Sequence, residues 1–598
     1  MSGQSEWLST QVSSLARRLE GCDIRHIQRD TAMTDSLRLC RRSPQRCRWS
    51  PSEGSATFRK LLVAYDFSPY ADTASARVRP TEWWLNDEGN TRREFTVMEH
   101  DAGKIIIIGG GIAGLCTAVY ARRCGYQVEV LEMHDSAGGL ATSWHRGDFT
   151  FETCLHWLLG SNPNREMYSR WLEVFDIDKL TFIYPDEFVR LETERGECLR
   201  IYSNVDRLEA ELLKRGPEDA GEVRHLASAI RSLSKFRMPD LTEGWAGNWL
   251  TLLHDVPYLP LLRELSSVSS TEYGKRFTDP LLRSFFGEGD MGQLSALALF
   301  FSLAWMNSRD AGYPIGGSQA VIQNIAQKLG SLGGRLRLGV KVERILVEDD
   351  AAVGVQLVCG ESIAADWVIS AADGHATIYD LLGGKYRDKT TEKIYDEFKT
   401  FPSYLQVSLG VARDLSQQPG FVTRLLDTPL QVDPGTQLRQ VSFRFFHFDP
   451  TFAPAGKTAV TCFLPTRNFE FWVQLQQHNP VGYEAEKQRI AEAVLSILER
   501  SVRDVRREIE VVDVSTPATV IRYTGNWKGS MEGWLLTPDS WYRQLPNTLP
   551  GLRQFLMVGQ WVMPGGGLPS GLMTSRSAIQ AVCKQDRTPF AERHPVMR

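Results

Sequence analysis

From Lys104 onward the stretch KIIIIGGGIAGLCTAVYARRCGYQVEVLE leaves few choices of local fold. Lys104–Ile108 is a β-branched run that predicts a buried strand, and Gly109–Gly114 is a glycine-rich turn. Leu115–Cys124 continues as a helix that Gly125 ends, and Val128–Leu131 forms a second strand finished by Glu132. Gly109, Gly111 and Gly114 make the GxGxxG pattern. The first permits the tight turn, the second lets backbone approach a pyrophosphate, and the third lets helix and strand pack closely. Ile112 and Ala113 lie within this turn, beside a helix N-terminus whose free N–H groups and partial positive charge suit phosphates. Glu132 falls where a carboxylate can accept hydrogen bonds from ribose hydroxyls. Alone the glycine pattern is weak, but framed by strand, helix and acid it is specific for a dinucleotide.

Two further segments decide which dinucleotide. Just past Glu132 comes Gly138-Gly139-Leu140, a second place of close backbone approach that a plain NAD domain does not need. Near the C-terminus Val558-Gly559-Gln560 is followed by Pro564-Gly565-Gly566-Gly567-Leu568-Pro569 and a helix expected over Leu572–Lys584. A glycine turn leading into a helix is another anion site, far away along the chain. A long dinucleotide gripped from both ends of a chain points to FAD and a split binding domain.

Together these blocks resemble the phytoene desaturase group, which includes carotenoid isomerases and retinol saturases. Phe149–Gly160 (FTFETCLHWLLG), Tyr313–Gln319 (YPIGGSQ) and Ala365–Asp373 (ADWVISAAD) add to the resemblance. It implies an α/β fold of amine-oxidase type, a Rossmann-type FAD-binding domain with an inserted α+β substrate domain. It also implies that Glu132 holds the adenosine ribose and that Val342 contacts adenine through its backbone. Gly559, Gln560, Gly567, Leu568 and Pro569 would then lie near the isoalloxazine and pyrophosphate. The sequence departs from the group's pattern at Leu140, where relatives carry arginine, and at Gln560, where an acid is common. Glu152 replaces an aspartate and Cys154 a glycine.

In a flavoenzyme the flavin handles the hydride, so the protein positions substrate and manages at most a proton. Glu152 and His156, four residues apart, are the candidates, weighed against a structural hydrogen-bonded pair. Asp373 is expected to cap a turn, Cys154 to be a small buried residue, and Lys528 to be an exposed lysine or to line a pocket mouth.

With 598 residues the chain exceeds one core. We expect residues 1–97, arginine-rich and without sustained periodicity, to be a disordered or dispensable extension. The FAD-binding domain is expected over 98–180, 310–385 and 546–590, and the substrate domain over 181–309 and 386–545. A helix is expected at Ser318–Leu332, and strands at Val353–Val358, Ile363–Ser370, Val441–Phe448, Ala459–Phe463 and Phe555–Val558. Another helix is expected near Ala485–Val502. The net charge of −4 carries no nucleic-acid signature, and the ten cysteines contain no CxxC pair. Trp249–Leu265 and Ser295–Met306 are too short to span a bilayer, but each can pack in a core, line an oily pocket or touch a membrane surface.

The function expected is therefore an FAD-dependent oxidoreductase that desaturates or saturates C–C/C=C bonds of a hydrophobic lipid, polyene or isoprenoid. Alternatives are a flavin-dependent cis-trans isomerase of a polyene, an amine-oxidase-type enzyme, and a non-catalytic flavin-binding scaffold. With no second GxGxxG for NADPH, the electron partner would be a quinone, oxygen or a redox protein. The expected location is cytoplasmic, with peripheral membrane contact as the alternative, and no nucleic acid is involved.

Overall fold

The isoleucine run of strand β1 (Lys104–Ile108) buries Ile105, Ile106 and Ile107 completely, as a strand covered on both faces requires. A computed structural model describes residues 102–237, 256–540, 543 and 545–591. The expected extension at 1–97 and residues 249–255 of Trp249–Leu265 lie outside the described residues. From β1 the chain passes through helix α1 (Ile112–Arg123) into β2 (Gln127–Leu131). Three later strands complete the layer: β3 (Arg335–Arg337), β4 (Trp367–Ser370) and β5 (Phe555–Met557). All pairings are parallel and the order is β3-β2-β1-β4-β5. The winding direction reverses between β1 and β4, and the crevice at such a reversal is where open α/β sheets bind ligands.

The expected FAD-type domain is thus assembled from separated pieces. Helix α2 (Gly567–Asp586) follows β5 and packs on α1. It starts five residues before the expected Leu572, because first-turn N–H groups have no intrahelical partner and glycine and proline are tolerated there. Ile363–Ser370, expected as one strand, is two. Ser362–Ala364 closes a three-stranded antiparallel sheet with Val342–Glu348 and Ala351–Leu357, and β4 belongs to the parallel layer. Asp366 marks the crossing, its carboxylate accepting the Lys104 backbone N–H at 2.7 Å.

The substrate portion is built on a seven-stranded sheet. Its order is Ile509–Ser515, Ser403–Val411, Thr458–Thr466, Thr436–Phe445, Phe421–Asp433, Glu187–Thr193 and Cys198–Tyr202. Both insertions contribute strands, and the parallel pairing of Phe421–Asp433 with Glu187–Thr193 joins them. One expected boundary shifts. Phe182–Ile183, assigned to the substrate portion, pairs with Tyr313–Pro314 of the cofactor portion. Expected helices Ser318–Leu332 and Ala485–Val502 are found at Gly317–Ser331 and Pro480–Glu499.

Glu173 knits the cofactor portion internally. Its carboxylate accepts the Tyr120 hydroxyl of α1 at 2.7 Å and faces Arg576 of α2 at 3.2 Å, with Arg576 fully buried. Among the described residues no helix is long and apolar enough to cross a membrane.

Candidate functional site

The three fingerprint glycines differ in what constrains them. Gly109 has φ +100°, open to glycine but strained for other residues. A Cβ on Gly114 would lie 1.9 Å from the Gly109 carbonyl oxygen, so only glycine lets α1 sit on β1. Gly111 is extended (φ −74°, ψ −177°), and a Cβ there would meet nothing nearer than 3.7 Å. Protein packing therefore does not demand glycine at 111, and an approaching ligand would.

Glu132, buried at the end of β2, accepts the Gly110 N–H at 2.7 Å and the His134 N–H at 2.8 Å, one on each oxygen. Each oxygen keeps a lone pair that a sugar diol can use. The Gly138-Gly139 segment lies on the fingerprint turn, with the Gly138 N–H bonded to the Gly110 carbonyl at 3.0 Å. Val342 begins its strand two residues beyond Val340, whose N–H bonds to the Glu132 carbonyl at 2.8 Å.

The C-terminal block converges on the same place. Ser575 of α2 donates to the Ala113 carbonyl at 2.7 Å and accepts from Thr117 at 2.8 Å. A Cβ on Gly571 would stand 2.9 Å from the Ile112 side chain, and one on Gly559 would stand 3.2 Å from Ala113 Cβ. Helices α1 and α2 begin at Gly111 and Gly566 with no side-chain cap. Two adjacent uncapped N-termini, an open backbone at Gly111 and a carboxylate with spare acceptors fit a diphosphate flanked by a sugar diol. The Gln560 side chain donates to the Asn526 side-chain oxygen at 3.1 Å.

Leu140 and the Gly565–Pro569 turn also border a cavity of about 2440 Å³ that extends into the substrate portion. The apolar helix Ala296–Asn307 supplies one wall through Leu297, Ala298, Phe301 and Trp305 while burying Phe300 and Leu303 behind it. Of the roles open to Ser295–Met306, lining a pocket and packing in a core are therefore both realised. Strands of the seven-stranded sheet supply Phe421 and Phe463 opposite.

Glu152 and His156 both border this cavity, but no hydrogen bond joins them. Glu152 is latched elsewhere, accepting the Ser318 N–H at 2.7 Å and the Tyr313 hydroxyl at 3.2 Å. It thus anchors the start of helix Gly317–Ser331, and burial raises its pKa against those bonds. His156 opens to the cavity yet is enclosed by protein. Burial, then the neighbouring Arg444, push its pKa down to about 3, leaving a neutral and weak base. Arg444 itself donates to the Leu155 carbonyl at 2.6 Å. Asp373 caps its turn as expected, accepting N–H groups of Ala376 and Trp527, each at 2.8 Å. Lys528 is exposed over the Trp527 ring and does not border the cavity. Cys154 borders it, its thiol pushed up by burial.

One group escaped the sequence reading. Glu532, in the same KGSMEGW segment as Lys528, lines the cavity beside the Gly565–Gly567 turn. Burial alone raises it to about 7. An acid set between methionine and glycine-tryptophan was the available signal, and nothing local distinguished it from a surface residue.

Comparison with known proteins agrees with this geometry. Residues 112–583 match the family described as flavin containing amine oxidoreductase. A neurosporene-forming phytoene desaturase of Rhodobacter capsulatus is 26% identical over 506 residues, covering 80% of this chain and 94% of its own. A chloroplastic prolycopene isomerase of Daucus carota is 24% identical over 546 residues, covering 83% and 82%. Among solved structures, an oxidoreductase from Methanosarcina mazei superposes with a TM-score of 0.52 at 16% identity, over 80% of this chain and all of that one. Wild-type putrescine oxidase bound to putrescine gives 0.52 at 14% identity, over 80% and 99%. These structures show a shared amine-oxidase-like fold with a Rossmann-type cofactor region. With more than half its length matched and its glycine turns converging as a flavin-binding fold requires, the chain belongs to the flavin containing amine oxidoreductase family.

Proposed function

We propose that this protein is an FAD-dependent oxidoreductase that desaturates or saturates carbon–carbon bonds of a long hydrophobic substrate of the polyene or isoprenoid class. The observation that carries the reading is the cavity. At about 2440 Å³ it is well beyond the roughly 300–1,000 Å³ of ordinary small-molecule sites, and its walls are largely aromatic and aliphatic. It begins at the Gly565–Pro569 turn, so an elongated substrate would meet the cofactor end-on or along its length.

Gly109, Gly111, Ile112, Ala113 and Gly114 would hold the diphosphate, with Gly138 and Gly139 beside them. Glu132 would hold the ribose, Val342 the adenine, and Gly559, Gln560, Gly567, Leu568 and Pro569 the far end near Leu140. Bound flavin supplies a two-electron acceptor or donor for hydride. The protein supplies a dry, apolar channel that aligns the substrate and excludes water. External electrons would pass to or from a quinone, oxygen or a redox partner. A cytoplasmic enzyme, peripherally attached to a membrane, suits a lipid substrate.

A second reading has support of its own. The chain matches prolycopene isomerases over a share of its length similar to that for the desaturases, so double-bond isomerisation with reduced flavin is the competing chemistry. Anaerobic absorption spectra separate them. Desaturation bleaches oxidised flavin when a saturated polyene precursor is added. Isomerisation needs flavin prereduced by dithionite and shows no net electron uptake. Oxidised flavin that no polyene bleaches, together with prereduced protein that yields no isomerised polyene, overturns both readings.

A further inference from the structure

Among the carboxyl groups that border the cavity, Glu532 alone combines a position at the cofactor turn with freedom from protein partners. Glu152 is held by Ser318 and Tyr313, and Asp310 by the Asn162 N–H at 3.1 Å. Among the described residues, the Glu532 carboxylate makes no hydrogen bond or ion pair. Only its backbone carbonyl is engaged, by the Ser530 hydroxyl at 3.3 Å. Its placement is tight: a Cβ on Gly566 would stand 2.8 Å from Glu532 Cβ and 3.2 Å from its Oε2, and one on Gly567 would stand 3.9 Å from its Oε1. The side chain therefore lies along the turn that opens α2, and glycine at 566 is what makes room for it.

We propose that Glu532 is a catalytic residue, the group that takes the substrate proton in desaturation and returns it in saturation. The inference rests on the function proposed above. In the desaturating direction a C–H bond breaks and its electron pair leaves as hydride to the bound flavin. On the neighbouring carbon a C–H bond breaks heterolytically, its electrons form the new C=C bond, and the proton goes to the Glu532 carboxylate. Substrate loses two electrons and flavin gains two. The acid form would release the proton once product leaves and water re-enters the cavity.

Several observations fit the assignment. A general acid or base works best when its pKa lies near the working pH, and burial holds Glu532 at about 7. His156, at about 3, is poorly matched. The groups facing Glu532 leave its titration simple. From the Thr153–Cys154 segment comes the Cys154 thiol, kept neutral by burial and by the two carboxylates Glu532 and Glu152. The Gly565–Gly567 turn brings no titratable group, and Leu536 beside it is apolar.

The test uses flavin-loaded protein and two readouts. The wild-type minus E532Q infrared difference, in which the bands of Asp373 (about 7) and Asp310 (about 6) cancel, should show a protonated carboxyl band that disappears with a midpoint near neutrality. Stopped-flow flavin reduction by a polyene should slow on the order of 10²-fold or more in E532Q, with loss of the pH limb that wild type shows. E532D, which keeps a carboxyl, should retain that limb at a reduced rate. It serves as the folded control if E532Q loses flavin. E532Q reducing its flavin at the wild-type rate across pH overturns the proton role alone, as does a difference band already absent at mildly acidic pH. Wild-type flavin that no polyene reduces or reoxidises overturns the proposed function and this role with it.

Discussion

Replacing Gly111 with alanine should separate cofactor binding from folding. The residue is extended at φ −74° and ψ −177°, a conformation alanine adopts freely. The new Cβ would meet the Gly138 carbonyl oxygen at 3.7 Å and Gly139 Cα at 4.0 Å, ordinary contacts. Two small terms then oppose each other. Reduced freedom of the unfolded chain stabilises by about 0.4–1 kcal/mol. Alanine is a poorer N-cap than glycine, at a cost of about 0.5–1 kcal/mol. Flavin-free stability should therefore match wild type within about 1 kcal/mol. The methyl group would nevertheless occupy the side from which a diphosphate reaches the first turn of α1. At FAD concentrations 100-fold above Kd, ligand stabilises wild type by about 2.7 kcal/mol. G111A should lose most of that. Urea unfolding of flavin-stripped protein, with and without added FAD, measures both quantities. A variant stabilised by FAD as strongly as wild type would refute the assignment of this face to the diphosphate.

Other substitutions probe different links. Gly114→Ala places a methyl 1.9 Å from the Gly109 carbonyl, backbone against backbone, so it should cost about 3 kcal/mol even without flavin, read by the same unfolding curves. Glu173→Ala removes the carboxylate that faces the fully buried Arg576 and should destabilise by about 3–5 kcal/mol, with Glu173→Gln costing less. Burial raises Glu532 from the ordinary glutamate value of 4.5 to about 7. Between those values the unfolded chain has released this proton and the folded chain still holds it, so stability falls as pH rises through the window and levels off above it. Flavin-stripped E532Q should lose that part of the slope, and equal slopes in thermal melts from pH 4.5 to 7 would contradict it. Ala298→Phe narrows the cavity wall and should cut turnover of long polyenes at least tenfold while sparing short ones, as product chromatography would reveal.

The cofactor portion was far more legible in the sequence than the substrate portion, and particular residues show why. Strand β1, the glycine turn, α1 and Glu132 sit in one contiguous stretch whose periodicity and spacing are local. Leu405–Val411 (LQVSLGV) alternates apolar and polar residues as a half-exposed strand would, yet all nine residues of strand Ser403–Val411 are buried. Gln406 there bonds Ser408 and the Glu152 carbonyl, each at 3.0 Å, so polar groups are satisfied inside a core where pattern reading expects apolar ones. Glu152 and His156 stand out in the sequence as candidates for proton chemistry. Their spacing could not reveal that Ser318 and Tyr313, more than 150 positions away, hold one of them.

What the sequence by itself determined is therefore the dinucleotide fingerprint, since strand, glycine turn, helix and acid follow one another in a single short stretch, with Gly109 and Gly114 answering to local backbone constraints. The tertiary structure alone decided that α2 closes on α1, that helix Ala296–Asn307 turns one face to a cavity, and that the Glu532 carboxylate stands beside Gly566 without a hydrogen-bond or ion-pair partner among the described residues. Those are matters of burial and desolvation, set by groups distant along the chain, and no local pattern encodes them.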